Sequence, residues 1–254
     1  MDGEGTEVED PEFEWMLCAG ALPAALLLAL LFHWWEMGHF VQRTFLTMPV
    51  HEAGHAMAAW FCGFWAIPTL WHTNVGEARG FVTPVLLLAG LGVLAYRARQ
   101  AENWALAALA GALILAQAVC TLFISQDAAR MLIVFGGDGA GMILAAALMM
   151  SFFFGKGTSL YQGGLRWGFI VIGAASYVDM FATWWAARRD SGKIPFGEQE
   201  GGALSDATRL VDEFNWSADQ LVRRYVTLGV VCLAATLAVW AWGVWRARRA
   251  AAES

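Results

Sequence analysis

Cysteine is scarce in this 254-residue chain, and its four positions (Cys18, Cys62, Cys120 and Cys232) include no C-x-x-C pair. Such scatter excludes a disulfide framework and a zinc knuckle, and leaves small buried hydrophobes as the reading. Histidine is scarce too, with all five residues between His33 and His72. A di-iron oxygenase or desaturase needs several separated histidine boxes, so a single-metal site fits this chain better. Basic residues form no continuous face, which excludes nucleic acid as a partner. The first fourteen residues carry seven acids and no Lys or Arg. They read as a disordered acidic tail, and the first apolar run lacks the basic start of a secretory signal.

What the chain has in abundance is apolar length. It is 58% hydrophobic, with a mean hydropathy of +0.50, against about 45–50% apolar in soluble domains. About 20 apolar residues cross a bilayer core. Spans are expected at 15–35, 43–64, 80–96, 103–125, 131–154, 167–187 and 225–245. Residues 64–80 are mixed and are expected to form an extended hairpin at the membrane edge. In the polar stretch 188–224, Ala207, Leu210, Val211 and Phe214 repeat at helical spacing, with Asp206, Arg209, Asp212 and Glu213 opposite. This predicts an amphipathic surface helix N-capped by Ser205. Ser217 and Gln220 form a capping box for the last helix. The expected fold is therefore an all-α polytopic membrane protein. It has about six or seven transmembrane helices in a bilayer and one amphipathic surface helix. Its organisation is tail 1–14, membrane core 15–187, polar loop 188–224, and last span with basic tail 225–254.

Lys and Arg tie at eight on each side for seven spans. Without the long loop, the short loops favour an outside N-terminus and a cytoplasmic Arg43 end of the second span.

That second span carries His51-Glu52-Ala53-Gly54-His55, an H-E-x-x-H motif. On a helix His51 and His55 share one face and can hold one metal ion. Glu52, about 100° round the helix, stands where it can take a proton from a metal-activated water. By chance the motif arises in such a chain on the order of one time in a hundred. Ionisable groups inside a span are costly and default to function. Pro49 starts or kinks the helix. The polar run 33–43 is a candidate water mouth, and the echo Trp35-Glu36-Met37-Gly38-His39 reads as coincidence.

A catalytic zinc needs a third protein ligand and an open position. No third His lies at short spacing, and Glu77, Glu102, Glu198, Glu200 and Glu213 all lie outside the clear spans. Asp138 and Asp179 remain. Depth along the helices does not choose between them. The glycines around Asp138 permit close backbone approach and lean towards it.

The stretch Val50 to Gly63 resembles the motif helix of the site-2 protease family of intramembrane zinc metalloproteases. Gly137-Asp138-Gly139 resembles that family's later Asp-Gly element. The resemblance implies one Zn2+ held by His51, His55 and Asp138, Glu52 as catalytic base, and a cytoplasm-proximal site in a bacterial inner membrane. The implied substrate is a membrane protein cleaved in or near a transmembrane helix. The helix must unwind locally, because its carbonyls are already hydrogen-bonded. The family's usual prolines and Asn before the Asp-Gly element are missing, since Ile133-Val134-Phe135-Gly136 stands there, and no peptide-binding insert domain is visible. Tyr177-Val178-Asp179 followed by Ser205-Asp206-Ala207 is similar to more distant bacterial relatives, in which Asp179 is the candidate functional acid. The alternative is a non-catalytic, protease-like subunit acting in binding or assembly.

Overall fold

The structure is a computed structural model that describes residues 11–154, 164–197 and 204–253. Its elements run α1 (Pro11–Trp34), α2 (Glu36–Val41), a π-helical turn (Gln42–Thr47), α3 (Met48–Phe61), β1 (Ala66–Pro68), β2 (Thr73–Val75), α4 (Val82–Gln100), α5 (Trp104–Leu122) and α6 (Gln126–Ser151). Then follow α7 (Leu165–Ala187), a 3-10 turn (Ser191–Lys193), α8 (Asp206–Asp212) and α9 (Ala218–Glu253). Among the described residues, α1, α4, α5, α6, α7 and α9 are long and apolar enough to cross a membrane. The protein is all-α and polytopic, as its apolar runs predict. On α4 and α5, Leu86, Leu109 and Leu115 stand exposed, as lipid-facing side chains do and a water-facing surface seldom does.

The motif stretch expected at about 43–64 is helical without a break as far as Phe61, because the π-helical turn runs directly into α3, whose 14 residues carry the motif. Pro49 lies two residues past the π-helical turn, inside a continuous helical run, where it removes one backbone N–H donor. Two expectations need correction, the end of the acidic tail and the face of Asp206. First, the acidic tail ends earlier than residue 14. Pro11 opens α1, and Glu12 and Glu14 lie in its first turn, where carboxylates favour the positive end of the helix dipole. Residues 1–10 lie outside the described residues, as do parts of the 188–224 loop. Second, Asp206 does not sit on a solvent face, as described below.

The chain divides into two compact units. The first comprises the described parts of Met1–Thr47, Met142–Ala182 and Thr227–Ser254. Inside it Arg166 donates to both oxygens of the buried Glu14, at 3.1 and 3.3 Å, and Tyr177 donates to the Gly229 carbonyl at 2.8 Å.

The second unit comprises the described parts of Met48–Gly141 and Thr183–Val226. Ala56, Ala59, Cys62, Phe64 and Ile133 form its core. The expected hairpin is there: β1 and β2 pair antiparallel, with Ala66 opposite Val75 and Pro68 opposite Thr73. Trp60 on α3 donates to the Ala66 carbonyl at 3.0 Å and ties the hairpin to the motif helix. Ser205 caps α8 by accepting from the Thr208 amide, and Ala207 and Leu210 are buried as the periodicity requires. The Ser217–Gln220 capping box closes in both directions at 3.2 Å.

Candidate metal centre

The site lies within the second unit and starts from α3. His51 and His55 leave the same face, their rings 4.7 Å apart between centroids and inclined at 88°. Each ring is fixed through Nδ1. His55 Nδ1 lies 2.7 Å from the Ile133 carbonyl, which can only accept, so this nitrogen donates. His51 Nδ1 lies 2.9 Å from Asp138 Oδ1, so it donates to the ionised carboxylate. With both Nδ1 protons committed, neutral rings present bare Nε2 lone pairs, and the two Nε2 atoms stand 3.1 Å apart.

The third atom of the cluster is Asp206 Oδ2, from the first residue of α8. It lies 3.2 Å from His51 Nε2 and 3.0 Å from His55 Nε2. It is buried and makes no hydrogen bond. Three lone-pair atoms at such distances repel unless a cation, a proton or a metal ion, sits among them. Burial works against the charged carboxylate of Asp206. Where the cation is a proton, the His55 and His51 imidazoles that carry it override this and hold the carboxyl well below the usual range. Four-coordinate zinc with donors at about 2.0–2.1 Å has donor–donor edges of about 3.3 Å. The separations of 3.0–3.2 Å fit such an ion closely. Two imidazoles and one carboxylate are also a donor set that zinc accepts in open, catalytic sites.

Asp138, the expected third ligand, is placed differently. It holds the far nitrogen of His51 through Oδ1, and its Oδ2 accepts the Trp184 indole N–H at 2.7 Å. Trp184 stacks on Tyr225, centroids 4.1 Å apart, and Tyr225 reaches the Phe135 carbonyl at 3.3 Å. Asp138 therefore stands behind His51, and a carboxylate so placed sets the tautomer and basicity of an imidazole. The glycines beside it act as expected. A Cβ on Gly54 would collide with the Gly136 carbonyl and lie 2.7 Å from the Gly141 nitrogen. A Cβ on Gly137 would lie 2.6 Å from His55 Nε2. Only bare backbone lets α6 come this near α3. Asp179, the other candidate, lies in the first unit with His33, His39 and Arg43.

Glu52 is buried. The Thr73 hydroxyl, on β2, stands 2.7 Å from its Oε2 and 2.8 Å from its backbone carbonyl. The hairpin thus reaches the motif glutamate directly. Glu52, His55, Thr73 and Asp206 line one cavity of about 280 Å³, with Arg209 and Glu213 also at its wall. Periodicity put Asp206 on the polar face of α8 and so away from the chemistry. The one sequence signal for it was its place in Ser205-Asp206-Ala207.

A scan against protein-family models, a search of curated proteins and a search of solved structures each return no match to this chain.

Proposed function

We propose that this chain is an intramembrane zinc metalloprotease of the site-2 protease kind, acting on a membrane-protein substrate in a bacterial inner membrane. One observation carries the reading. His51 Nε2, His55 Nε2 and Asp206 Oδ2 converge at tetrahedral-edge spacing, with Glu52 on the same cavity. The ligand set of this proposal is His51, His55 and Asp206, with Asp138 orienting His51.

When bound, the ion would supply Lewis acidity, lowering the pKa of a water to about 7 and polarising a carbonyl. The remaining steps belong to the chain. Glu52 accepts the proton of the attacking water and returns it to the leaving amine. Thr73 holds the Glu52 carboxylate in place through its hydroxyl. Trp184 and Asp138 keep the His51 ring in the tautomer that leaves Nε2 bare. The carbonyls of a substrate helix are already hydrogen-bonded, so the substrate helix unwinds before cleavage.

The test compares membranes from cells expressing the wild type with cells expressing Glu52→Gln. New peptide termini inside or beside apolar segments, present only with the wild type, are the expected result. A Glu52→Gln protein that reproduces every wild-type terminus overturns the reading. One that binds zinc and keeps the wild-type phenotype without any cleavage by either form marks a non-catalytic subunit instead.

A further inference from the structure

The first unit holds a second convergence of metal-ligating atoms. Asp179 on α7 is fully buried. A buried carboxylate needs matched positive charge to offset the loss of water. Arg43, in the π-helical turn, donates to Oδ2 at 3.1 Å. Oδ1 faces two imidazoles, His39 Nε2 at 2.8 Å and His33 Nδ1 at 3.4 Å. The contact to His33 is not a hydrogen bond, and His33 Nδ1 is a buried ring nitrogen with no partner. A single proton between His39 and Asp179 satisfies one ring and leaves the other orphaned. An ion satisfies both.

The geometry repeats that of the motif site. The His33 and His39 rings stand 4.7 Å apart and inclined at 73°, against 4.7 Å and 88° for His51 and His55. His33 Nδ1, His39 Nε2 and Asp179 Oδ1 all lie within 4.8 Å of one another. Helical spacing alone does not produce this. Residues six apart on one straight helix point about 120° away from each other. The chain breaks between α1 and α2 at Trp35, whose backbone is extended. The turn is tight: a Cβ on Gly38 would lie 2.8 Å from the Phe32 carbonyl. That corner turns the two imidazoles onto Asp179.

The geometry points to a second divalent transition-metal site, with His33 Nδ1, His39 Nε2 and Asp179 Oδ1 as ligands and Arg43 bracing the far carboxylate oxygen. Two imidazoles and a carboxylate suit zinc and its borderline neighbours cobalt and nickel, not calcium or magnesium. The side chains of His39 and Arg43 are 43% and 38% exposed, so water completes the coordination. Among the described residues, the cluster holds no second carboxylate to act as a base. The ion fastens the α1–α2 corner to α7 and is structural.

The experiment uses the purified full-length protein, stripped with a chelator and reloaded with Zn2+ or Co2+. Two ions per wild-type chain are expected. Asp206→Asn, which alters only the motif site, keeps one ion and still gains thermal stability on metal addition. The double variant His33→Gln/His39→Gln also keeps one ion. Adding both substitutions to Asp206→Asn abolishes binding and the thermal gain. The single variant His39→Gln, at a half-exposed position, guards against misfolding and is expected to lose the same ion. A wild type with one ion that survives His33→Gln/His39→Gln overturns the proposal. So does an Asp206→Asn protein with no ion and no metal-dependent thermal shift. If the wild type binds one ion, which survives Asp206→Asn, and the histidine double variant binds none, this site stands and the motif site fails.

Discussion

Asp138 faces the Nδ1 side of His51, 2.9 Å away, and not the Nε2 side on which the ligand atoms converge. A carboxylate there fixes which nitrogen of His51 carries the proton. The acid that faces both Nε2 atoms is Asp206. The two aspartates therefore have separable roles, and their substitutions have separable consequences.

Asp206→Asn removes the proposed anionic ligand from the motif centre, and loss of the ion from that centre is expected. Asp138→Asn leaves the three ligand atoms in place and weakens zinc affinity by roughly 10–100-fold. Zinc titration against a competing chelator measures both. Equal losses would contradict this division of roles.

Glu52→Gln keeps size and shape and removes the proposed base. The expected loss in kcat is roughly 10²–10⁴-fold, with the zinc content unchanged. Cleavage of a reporter carrying an identified site, together with metal analysis of the same preparation, checks both halves.

Thr73→Val deletes the hydroxyl beside the Glu52 carboxylate. Losing a hydrogen bond to a charged group costs about 1.5–3 kcal/mol, or roughly 10–100-fold in rate. The effect is expected in kcat, with KM and zinc content held, because Thr73 touches the base and neither imidazole ring.

Gly54→Ala and Gly137→Ala add one methyl where the helices meet. At Gly54 the new Cβ meets the backbone of Gly136 and Gly141, which cannot rotate away. A loss of about 1–3 kcal/mol or more in stability is expected. At Gly137 the Cβ meets the imidazoles themselves, so zinc affinity falls as well. Thermal unfolding and zinc titration of the two variants separate these effects.

In metal-free protein the Asp206 carboxyl is held below its ordinary value by burial-opposed pairing with His55 and His51. A depressed folded value means that the contribution is present above the unfolded value of about 4. It is lost as pH falls through the folded value. Chelator-stripped wild type and Asp206→Asn should therefore differ in Tm at neutral pH and converge on strong acidification.

The spans, the hairpin and the caps were legible because each rests on local signals. Apolar length alone marks a helix that lipid can solvate, and Ser205, Ser217 and Gln220 act on amides three residues away. The His51, Glu52 and His55 triplet was legible for the same reason, since one helical turn brings it together. The third acid was not. Asp206 is polar, it follows an N-cap, and its periodicity matches a solvated face. Only the packing of α8 against the motif turns that face inward. Asp138 and Asp179 stood out as acids inside apolar runs, and both are buried with charged or polar partners. Which partner each took depended on contacts distant in the chain, and helical periodicity carries no information about those. The motif at 51–55 and the bilayer setting thus belong to the sequence by itself. Tertiary structure alone decided that Asp206 completes the His51–His55 face, that Asp138 stands behind it, and that Asp179 gathers His33 and His39 into a cluster of their own.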